Sequence, residues 1–185
     1  MSAARSGPLA VLIGPMAAGK STIGRHLAEL LGVPFHDLDD LVVTAAGRSI
    51  PEIFADGGEV AFRRLEEQTL REALAHGSGV LSLGGGAPMT TGVQPLLRTA
   101  PVVLLEIDRA TAARRIGSGE GRPMLDGEDP LERWTRLTAQ RSSTYRALAR
   151  WQIDASTESV PGLARRIARL LSSDIDTPTS GKDRP

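Results

Sequence analysis

The sequence predicts an α/β fold, a three-layer sandwich in which helices cover both faces of a five-stranded parallel sheet. Short apolar runs alternate with longer segments of helical periodicity, and a glycine-rich turn directly follows the first apolar run. The 185 residues, 41% of them hydrophobic, suffice to bury one core but hardly two. Because ligands of such folds bind at the carboxyl ends of the strands, we expect the functional residues there.

The predicted strands are short apolar runs bounded by turn residues. They are Leu9–Ile13, Pro34–Asp37, Gly79–Leu83, Pro101–Ile107 and Trp151–Asp154. The predicted helices connect these runs and follow the last one. They are Lys20–Leu31, further helical segments from Leu41 to His76, Gly92–Arg98, Arg109–Ile116, Leu131–Leu148 and Val160–Leu171. Alternation of this kind is typical of parallel strands joined by helical crossovers.

Residues 1–171 are therefore predicted to form a single domain, and two segments interrupt its alternation. Residues 117–130 are rich in glycine and too long for an ordinary connection, so they are interpreted as a mobile lid. Within that lid, Pro123 limits the backbone after Arg122, and Met124–Leu125 form an apolar patch that could dock on closure. Residues 172–185 are polar and contain prolines, which predicts a disordered tail.

Composition narrows the class of protein. The net charge is zero, so nothing attracts nucleic acid or an anionic membrane in general, and any cationic site must be local. Aromatic residues make up 3%, which disfavours base-stacking surfaces. The absence of cysteine excludes disulfides and thiolate metal sites, and the first apolar run is too short to span a membrane. We therefore expect a cytoplasmic monomer without nucleic-acid or membrane partners.

The first glycine-rich turn has the spacing of a phosphate-binding loop, Gly14-x4-Gly19-Lys20-Ser21, between a predicted strand and helix. In such loops backbone N–H groups surround the phosphates, the lysine reaches the outer phosphates, and the hydroxyl can bind Mg²⁺. A tight turn with a chance lysine is the alternative. The residues predicted to contact ATP are Gly14, Ala17, Ala18, Gly19, Lys20, Ser21 and Thr22.

Two aspartates close the second predicted strand. Asp37 and Asp39 are two residues apart, so in extended backbone they would point to the same face, near the phosphate site. One could hold Mg²⁺-bound water while the other accepts a proton from an attacking hydroxyl. Alternatively, Asp39 and Asp40 only cap a helix that begins at Leu41.

Three arginines are candidates for anion binding, because a planar guanidinium suits carboxylate and phosphate groups. Arg63 lies on a predicted helix, Arg122 in the lid and Arg141 on a later helix. Arg63 could instead pair with Glu66 or Glu67 on its own helix, and Arg141 could be a solvated surface residue. Gly84–Gly86 follow the central strand, where glycines would let free N–H groups approach a ligand, unless they form a flexible turn.

Taken together, these motifs resemble those of shikimate kinases, which share their fold with the nucleoside monophosphate kinases. The matching segments are the phosphate loop, "DLD", "FRR", "LGGGA", "GRPML" and "QR...YR", and the resemblance extends from about Leu9 to Leu171. It implies an ATP- and Mg²⁺-dependent enzyme that phosphorylates the 3-hydroxyl of shikimate, a step in aromatic amino acid biosynthesis.

The resemblance also implies roles for individual residues. Asp37 would hold Mg²⁺ through water together with Ser21, and Asp39 would bind the substrate hydroxyls and act as the base. Arg63, Arg141 and the backbone of Gly84–Gly86 would bind the shikimate carboxylate. Lys20 and Arg122 would act on the ATP phosphates during catalysis, and Arg115, next to Arg114, would stack on adenine.

The sequence departs from the family pattern at two places. Ala17 replaces a usual third glycine of the phosphate loop, which alters the backbone if that position needs a positive φ. Residues 156–159 contain no second arginine for the adenine. The alternatives are another small-molecule kinase of this architecture, such as a gluconate kinase, and a nucleotide-binding regulatory domain without catalysis. The arginines at 63 and 141 favour a carboxylate-bearing substrate over gluconate kinase activity.

Overall fold

The computed structural model describes residues 7–117 and 129–175, and it confirms the predicted fold class. Five parallel strands form one sheet. They are β1 (Ala10–Ile13), β2 (Phe35–Asp37), β3 (Val80–Ser82), β4 (Val102–Glu106) and β5 (Trp151–Asp154). The described residues also form seven α-helices. They are α1 (Lys20–Leu31), α2 (Leu38–Ala46), α3 (Ile50–His76), α4 (Gln94–Thr99), α5 (Arg109–Gly117), α6 (Pro130–Leu148) and α7 (Val160–Ile175).

The order of the strands is β2-β3-β1-β4-β5, so β1 lies in the centre with β3 and β4 as its neighbours. Successive side chains of β1 point to opposite faces of the sheet and enter different cores. Ala10 and Leu12 pack with α1 and α7, whereas Val11 and Ile13 pack with α2, α3 and the end of α6. The three layers follow from this alternation, and both cores are mainly aliphatic.

The largest difference from the predicted elements lies between β2 and α3. The helix predicted from Leu41 begins at Leu38, because the Asp37 carboxylate caps it by accepting a hydrogen bond from the Asp39 N–H at 3.2 Å. The expectation that Asp39 and Asp40 cap this helix is therefore wrong, since both lie inside its first turn.

Helix α3 begins with a capping box between Ser49 and Glu52 and contains a non-helical residue, Gly58, with φ 63° and ψ −166°. A backbone of this conformation is open to glycine and strained for other residues, which explains the kink within a 27-residue helix. The kink separates the start of α3 from the segment that carries Arg63.

The final helix continues four residues past the predicted boundary at Leu171 and ends at Ile175. Residues 172–175, predicted to belong to a disordered tail, are therefore helical. The rest of the predicted tail and residues 118–128 of the predicted lid, including Arg122, lie outside the described residues.

Candidate active site

The phosphate loop lies at the carboxyl end of central strand β1 and leads into α1, as predicted. Gly14 has a φ of 140°, and a Cβ at this position would lie 2.2 Å from the Leu105 carbonyl oxygen of β4. Gly19 precedes the first residue of α1 with a φ of 86°. Both glycines are thus required, the first by close approach of two strands and both by a backbone that side chains disfavour.

Ala17 has a φ of 65°, the one positive φ of a non-glycine residue among residues 7–117 and 129–175. The departure from the usual glycine therefore falls at a position that does need positive φ, where a Cβ adds roughly 1–2 kcal/mol of strain. Neighbouring side chains hold the loop in this shape. Arg115 donates to the Ala17 carbonyl at 2.9 Å, and the Trp134 indole donates to the Met16 carbonyl at 2.9 Å.

Lys20 is the first residue of α1, and its ammonium folds back over the loop. It donates to the carbonyl oxygens of Gly14 at 3.0 Å and Pro15 at 2.9 Å. Burial lowers the pKa of Lys20 from its ordinary 10.5 to about 8, while the carboxylates of Asp37 and Asp39 act in the opposite direction. The lysine is thus a partly desolvated cation that a polyanionic ligand would stabilise.

This lowered pKa predicts a pH dependence of stability. Between pH 8 and 10.5 the unfolded chain binds more protons at Lys20 than the folded chain does, so the free energy of unfolding should rise with pH through this window. Urea unfolding of the ligand-free protein at pH 7.5 and 9.5 measures the effect. Lys20→Met removes the titrating group and serves as the control, because other groups titrate in both proteins.

The expected result is that the wild type gains stability relative to Lys20→Met as the pH rises. A difference between the two proteins that stays constant over this range would contradict a desolvated Lys20.

Ser21 and Asp37 bring two oxygen donors together beside the loop. The Ser21 hydroxyl donates to Asp37 Oδ2 at 2.7 Å, and the buried Ser82 Oγ at the end of β3 lies 3.5 Å from Ser21 Oγ. Serine and carboxylate oxygens are suitable ligands for Mg²⁺, directly or through water. Ser82 was missed in the sequence, because a serine at the end of an apolar strand has no distinguishing spacing.

The described residues contain no group of three or more His, Cys, Asp or Glu side chains that could hold a metal ion. Proteins commonly bind Mg²⁺ through one or two side chains, with waters and nucleotide phosphates as its other ligands. The pair of Ser21 and Asp37 is consistent with such a site.

Asp39 lies in the first turn of α2, so the expected alignment with Asp37 along one extended strand is wrong. The two carboxylates nevertheless remain neighbours, because the turn from β2 into α2 keeps them on the same side. Burial, and next the Asp37 charge, raises the pKa of Asp39, whereas Lys20 and Arg63 lower it. A raised pKa makes this carboxylate a stronger base than one in water.

Gly84–Gly86 follow β3 and lie against the charged side chains that the sequence singled out. A Cβ at Gly84 would lie 3.5 Å from Asp39 Oδ1, one at Gly85 would lie 3.4 Å from Arg141 Nη1, and one at Gly86 would lie 2.9 Å from Arg63 Nη1 and Nη2. Because α2, α3 and α6 supply these side chains, the fold brings together residues that are far apart in sequence. Arg141 is half-buried beside Gly85, so the alternative of a fully solvated Arg141 does not hold.

Glu66 is a further member of this cluster, and of the two possible helix partners of Arg63 it is the one that pairs with the guanidinium. Its side chain is 3% exposed and accepts a hydrogen bond from Arg63 Nη1 at 2.7 Å, and burial raises its pKa. Arg63 therefore combines the two predicted possibilities: it pairs with Glu66 on its own helix, and it also faces the glycine run. The spacing of three residues on one helix was the available signal.

The remaining predicted residues are placed as follows. Ala18 is fully buried, Thr22 is exposed on the first turn of α1, and Arg115 also donates to the Ala155 carbonyl at 3.0 Å after β5. Arg115 thereby links the phosphate loop to the end of the fifth strand. No helix among the described residues is long and apolar enough to cross a bilayer.

Comparison with known proteins agrees with this geometry. A shikimate kinase of Mycobacterium marinum (strain ATCC BAA-535 / M) is 46% identical over 172 residues, which cover 93% of this chain and 91% of that protein. The shikimate kinase of Saccharopolyspora erythraea is 43% identical over 167 residues, covering 90% of this chain and 95% of that protein.

Among solved structures, Acinetobacter baumannii shikimate kinase in complex with shikimate superimposes with a TM-score of 0.80 at 35% identity, covering 93% of this chain and 96% of that one. A gluconokinase from Sinorhizobium meliloti 1021 matches less well, with a TM-score of 0.57 at 22% identity over 92% of this chain and 98% of that one. That likeness extends to the fold alone. The family model described as shikimate kinase matches residues 16–172, and the chain belongs to the shikimate kinase family.

Proposed function

We propose that this chain transfers the γ-phosphoryl group of ATP to the 3-hydroxyl of shikimate, giving shikimate 3-phosphate and ADP. The observation that carries the proposal is the convergence of Arg63, Arg141 and Asp39 on the glycine run Gly84–Gly86. Two guanidinium groups suit the acceptor carboxylate, and one carboxylate suits its hydroxyls. A Cβ at Gly85 would lie 3.6 Å from the Gly14 carbonyl oxygen, so the acceptor site adjoins the phosphate loop.

On the donor side, the loop from Gly14 to Gly19 and the N-terminus of α1 bind the phosphates. Lys20 exchanges its contacts with Gly14 and Pro15 for the outer phosphates and neutralises charge there. Ser21 and Asp37 would hold Mg²⁺, and the bound ion would supply charge neutralisation at the phosphates. Arg115, which donates to the Ala17 and Ala155 carbonyls, would stack on the base.

On the acceptor side, Asp39 accepts the proton of the 3-hydroxyl as its oxygen bonds to the γ-phosphorus and the bond to ADP breaks. The raised pKa of Asp39 favours this proton transfer. Arg63 and Arg141 bind the carboxylate, and Glu66 positions Arg63 through their hydrogen bond. Phe62 lies below the Arg63 guanidinium at 5.2 Å and stacks on Phe54, which gives the arginine an apolar support.

Arg122 completes the proposed machinery as a residue of a lid that closes over both substrates. Its support is the "GRPML" motif alone, since residues 118–128 lie outside the described part of the chain. Closure would exclude water and suppress wasteful hydrolysis of ATP.

Coupled measurement of ADP release with shikimate and with gluconate tests the proposed function. Shikimate-dependent release of ADP is expected, with little release with gluconate or without an acceptor. Preference for gluconate would identify a different small-molecule kinase, and absence of release with either acceptor would favour a regulatory domain.

The two arginines give the next prediction. Arg63→Lys and Arg141→Lys keep the positive charge but lose the planar pair of donors, so shikimate should bind more weakly. A charged hydrogen bond contributes about 1.5–3 kcal/mol, which corresponds to roughly a 10- to 100-fold higher KM for shikimate. The KM for ATP should change little. Steady-state kinetics with each substrate varied in turn measures both values.

Arg64→Lys is the matched control, because Arg64 neighbours Arg63 but is exposed on α3. Equal weakening of ATP and shikimate binding by the two substitutions would indicate a general structural role and would contradict the carboxylate site.

A further inference from the structure

Tyr145 connects two parts of the acceptor site through one buried hydroxyl group. It lies on α6, one turn after Arg141, and is 2% exposed. Its hydroxyl donates to the Gly85 carbonyl at 2.6 Å, and Arg141 Nη1 lies beside it, since a Cβ at Gly85 would lie 3.4 Å from each of these two groups. A hydroxyl that donates one hydrogen bond keeps two acceptor sites, so the phenol oxygen can also accept from a guanidinium N–H.

We infer that Tyr145 is a positioning residue for the acceptor carboxylate, because its hydroxyl holds the Gly85–Gly86 peptide and the Arg141 guanidinium in register with each other. This inference rests on the proposed function, and it assigns the tyrosine a part in acceptor specificity. Tyr145 itself does not touch the reacting atoms.

The hydroxyl of Tyr145 orients one peptide unit of the glycine run. The peptide between Gly85 and Gly86 is trans and planar, so its C=O and N–H point in opposite directions. Tyr145 fixes the C=O, and the Gly86 N–H therefore points away from the phenol. Within residues 7–117 and 129–175 neither the Gly85 nor the Gly86 N–H has a protein acceptor, so both are open to a ligand.

Such control is needed because two adjacent glycines can rotate a peptide unit at little steric cost. The hydrogen bond from a side chain that is itself packed in the core removes this freedom. Tyr145 belongs to the core cluster that also contains Leu83 and Ala87, on either side of the glycine run.

The same hydroxyl lies beside the Arg141 guanidinium. Residues four apart on a helix lie on the same face, so Tyr145 and Arg141 reach the glycine run together. A Cβ at Gly85 would lie 3.4 Å from both Arg141 Nη1 and Tyr145 Oη, which places the two groups side by side over one peptide. As an acceptor beside the guanidinium, the phenol oxygen limits the directions in which the N–H groups of Arg141 can point.

Packing in the core does not by itself require the hydroxyl of Tyr145. The other side chains of this core cluster are apolar, and a phenylalanine would fill the same space. Burial raises the pKa of Tyr145, so the hydroxyl stays protonated and can serve as a donor. The buried phenol oxygen of Tyr145 lies against Gly85, at the edge of the proposed acceptor site.

Tyr145→Phe tests the inference. We expect kcat/KM for shikimate to fall about tenfold, mostly through KM, with the KM for ATP changed less than about twofold, since the lost hydrogen bond to Gly85 serves only the acceptor side. Ser142→Ala removes a hydroxyl from the same helix that bonds to Ala139 and should leave both values unchanged. Leu148→Ala, one turn later and buried, controls for loss of stability alone.

A double-mutant cycle separates positioning from general packing. If Tyr145 acts through Arg141, Tyr145→Phe and Arg141→Lys together should raise the KM for shikimate less than the product of the single effects. Independent effects that multiply, or a Tyr145→Phe enzyme with unchanged shikimate kinetics, would overturn the inference. So would equal losses for ATP and shikimate that Leu148→Ala reproduces.

Because the chain contains one tyrosine, a spectroscopic measurement needs no activity. Labelling with [ζ-¹³C]tyrosine gives a single resonance, which should move on Arg141→Lys in the ligand-free protein and on addition of shikimate to the wild type. A resonance that does not move on Arg141→Lys would overturn the inferred contact between Tyr145 and Arg141, even if shikimate proved not to be the substrate. Failure of wild-type turnover with shikimate would instead overturn the proposed function.

Discussion

Lys20→Ala is expected to lower kcat by at least about 10²-fold while the protein keeps its fold. The ammonium lies over the phosphate loop, bonded to the Gly14 and Pro15 carbonyls, and is partly desolvated there, which strengthens its interaction with a phosphoryl group that gains charge in the transition state. Its removal takes away a contact that serves catalysis. The folded chain loses an unfavourable buried charge, so its thermal stability should not fall.

Turnover with saturating shikimate and MgATP, together with thermal unfolding, measures this result. Lys182→Ala is the matched control, because Lys182 is the other lysine of the sequence and lies far from the loop along the chain. Near-normal turnover by a folded Lys20→Ala protein would remove the basis for assigning residues 14–21 to phosphate binding.

Asp39→Asn is expected to lower kcat by roughly 10²- to 10⁴-fold, the range that general base catalysis contributes. The amide has nearly the same shape as the carboxylate but cannot accept a proton from the hydroxyl. Since Asp39 lies beside Gly84 on the acceptor side, binding of MgATP should be preserved. Binding of a non-hydrolysable ATP analogue and pre-steady-state turnover measure the two properties separately.

Asp37→Asn provides the contrast, because Asp37 accepts a hydrogen bond from Ser21 in the proposed Mg²⁺ site and caps α2. This variant should need a higher Mg²⁺ concentration for half-maximal activity and regain much of its rate when Mg²⁺ is raised. Asp39→Asn should not be rescued in this way. Identical responses of the two variants to Mg²⁺ would show that the division of roles is wrong.

Local patterns of the sequence were sufficient for the fold and for the phosphate loop. Alternating short apolar runs and helical segments predict parallel strands, because burial on both faces of a sheet leaves that signature in the chain itself. The spacing from Gly14 to Ser21 is equally local, since one short loop supplies all its N–H groups. The sequence predicted that Ala17 would alter the loop only if its position needs a positive φ. The observed φ of 65° confirms that the position needs a left-handed backbone.

Tertiary structure decided how the residues of the proposed acceptor site come together. From the helix pattern alone, Arg63 could either bind an anion or pair with a glutamate on its own helix. The close approach of Gly86 shows that Arg63 faces the glycine run, and Glu66 accepts a hydrogen bond from it there. The start of α2 also depended on context, because whether Asp37 or Asp39 caps the helix is decided by where β2 ends.

The contacts of Tyr145 with Gly85 and of Ser82 with Ser21 could be found only in the structure. Hydrogen bonds between residues 60 and 61 positions apart, such as Tyr145 with Gly85 and Ser82 with Ser21, leave no periodicity in the sequence. They form because parallel strands bring their carboxyl ends to one edge of the sheet, where α1, α3 and α6 also place polar side chains. The sequence by itself thus determined the elements and the chemistry of the phosphate loop, whereas long-range packing decided which side chains meet at the acceptor.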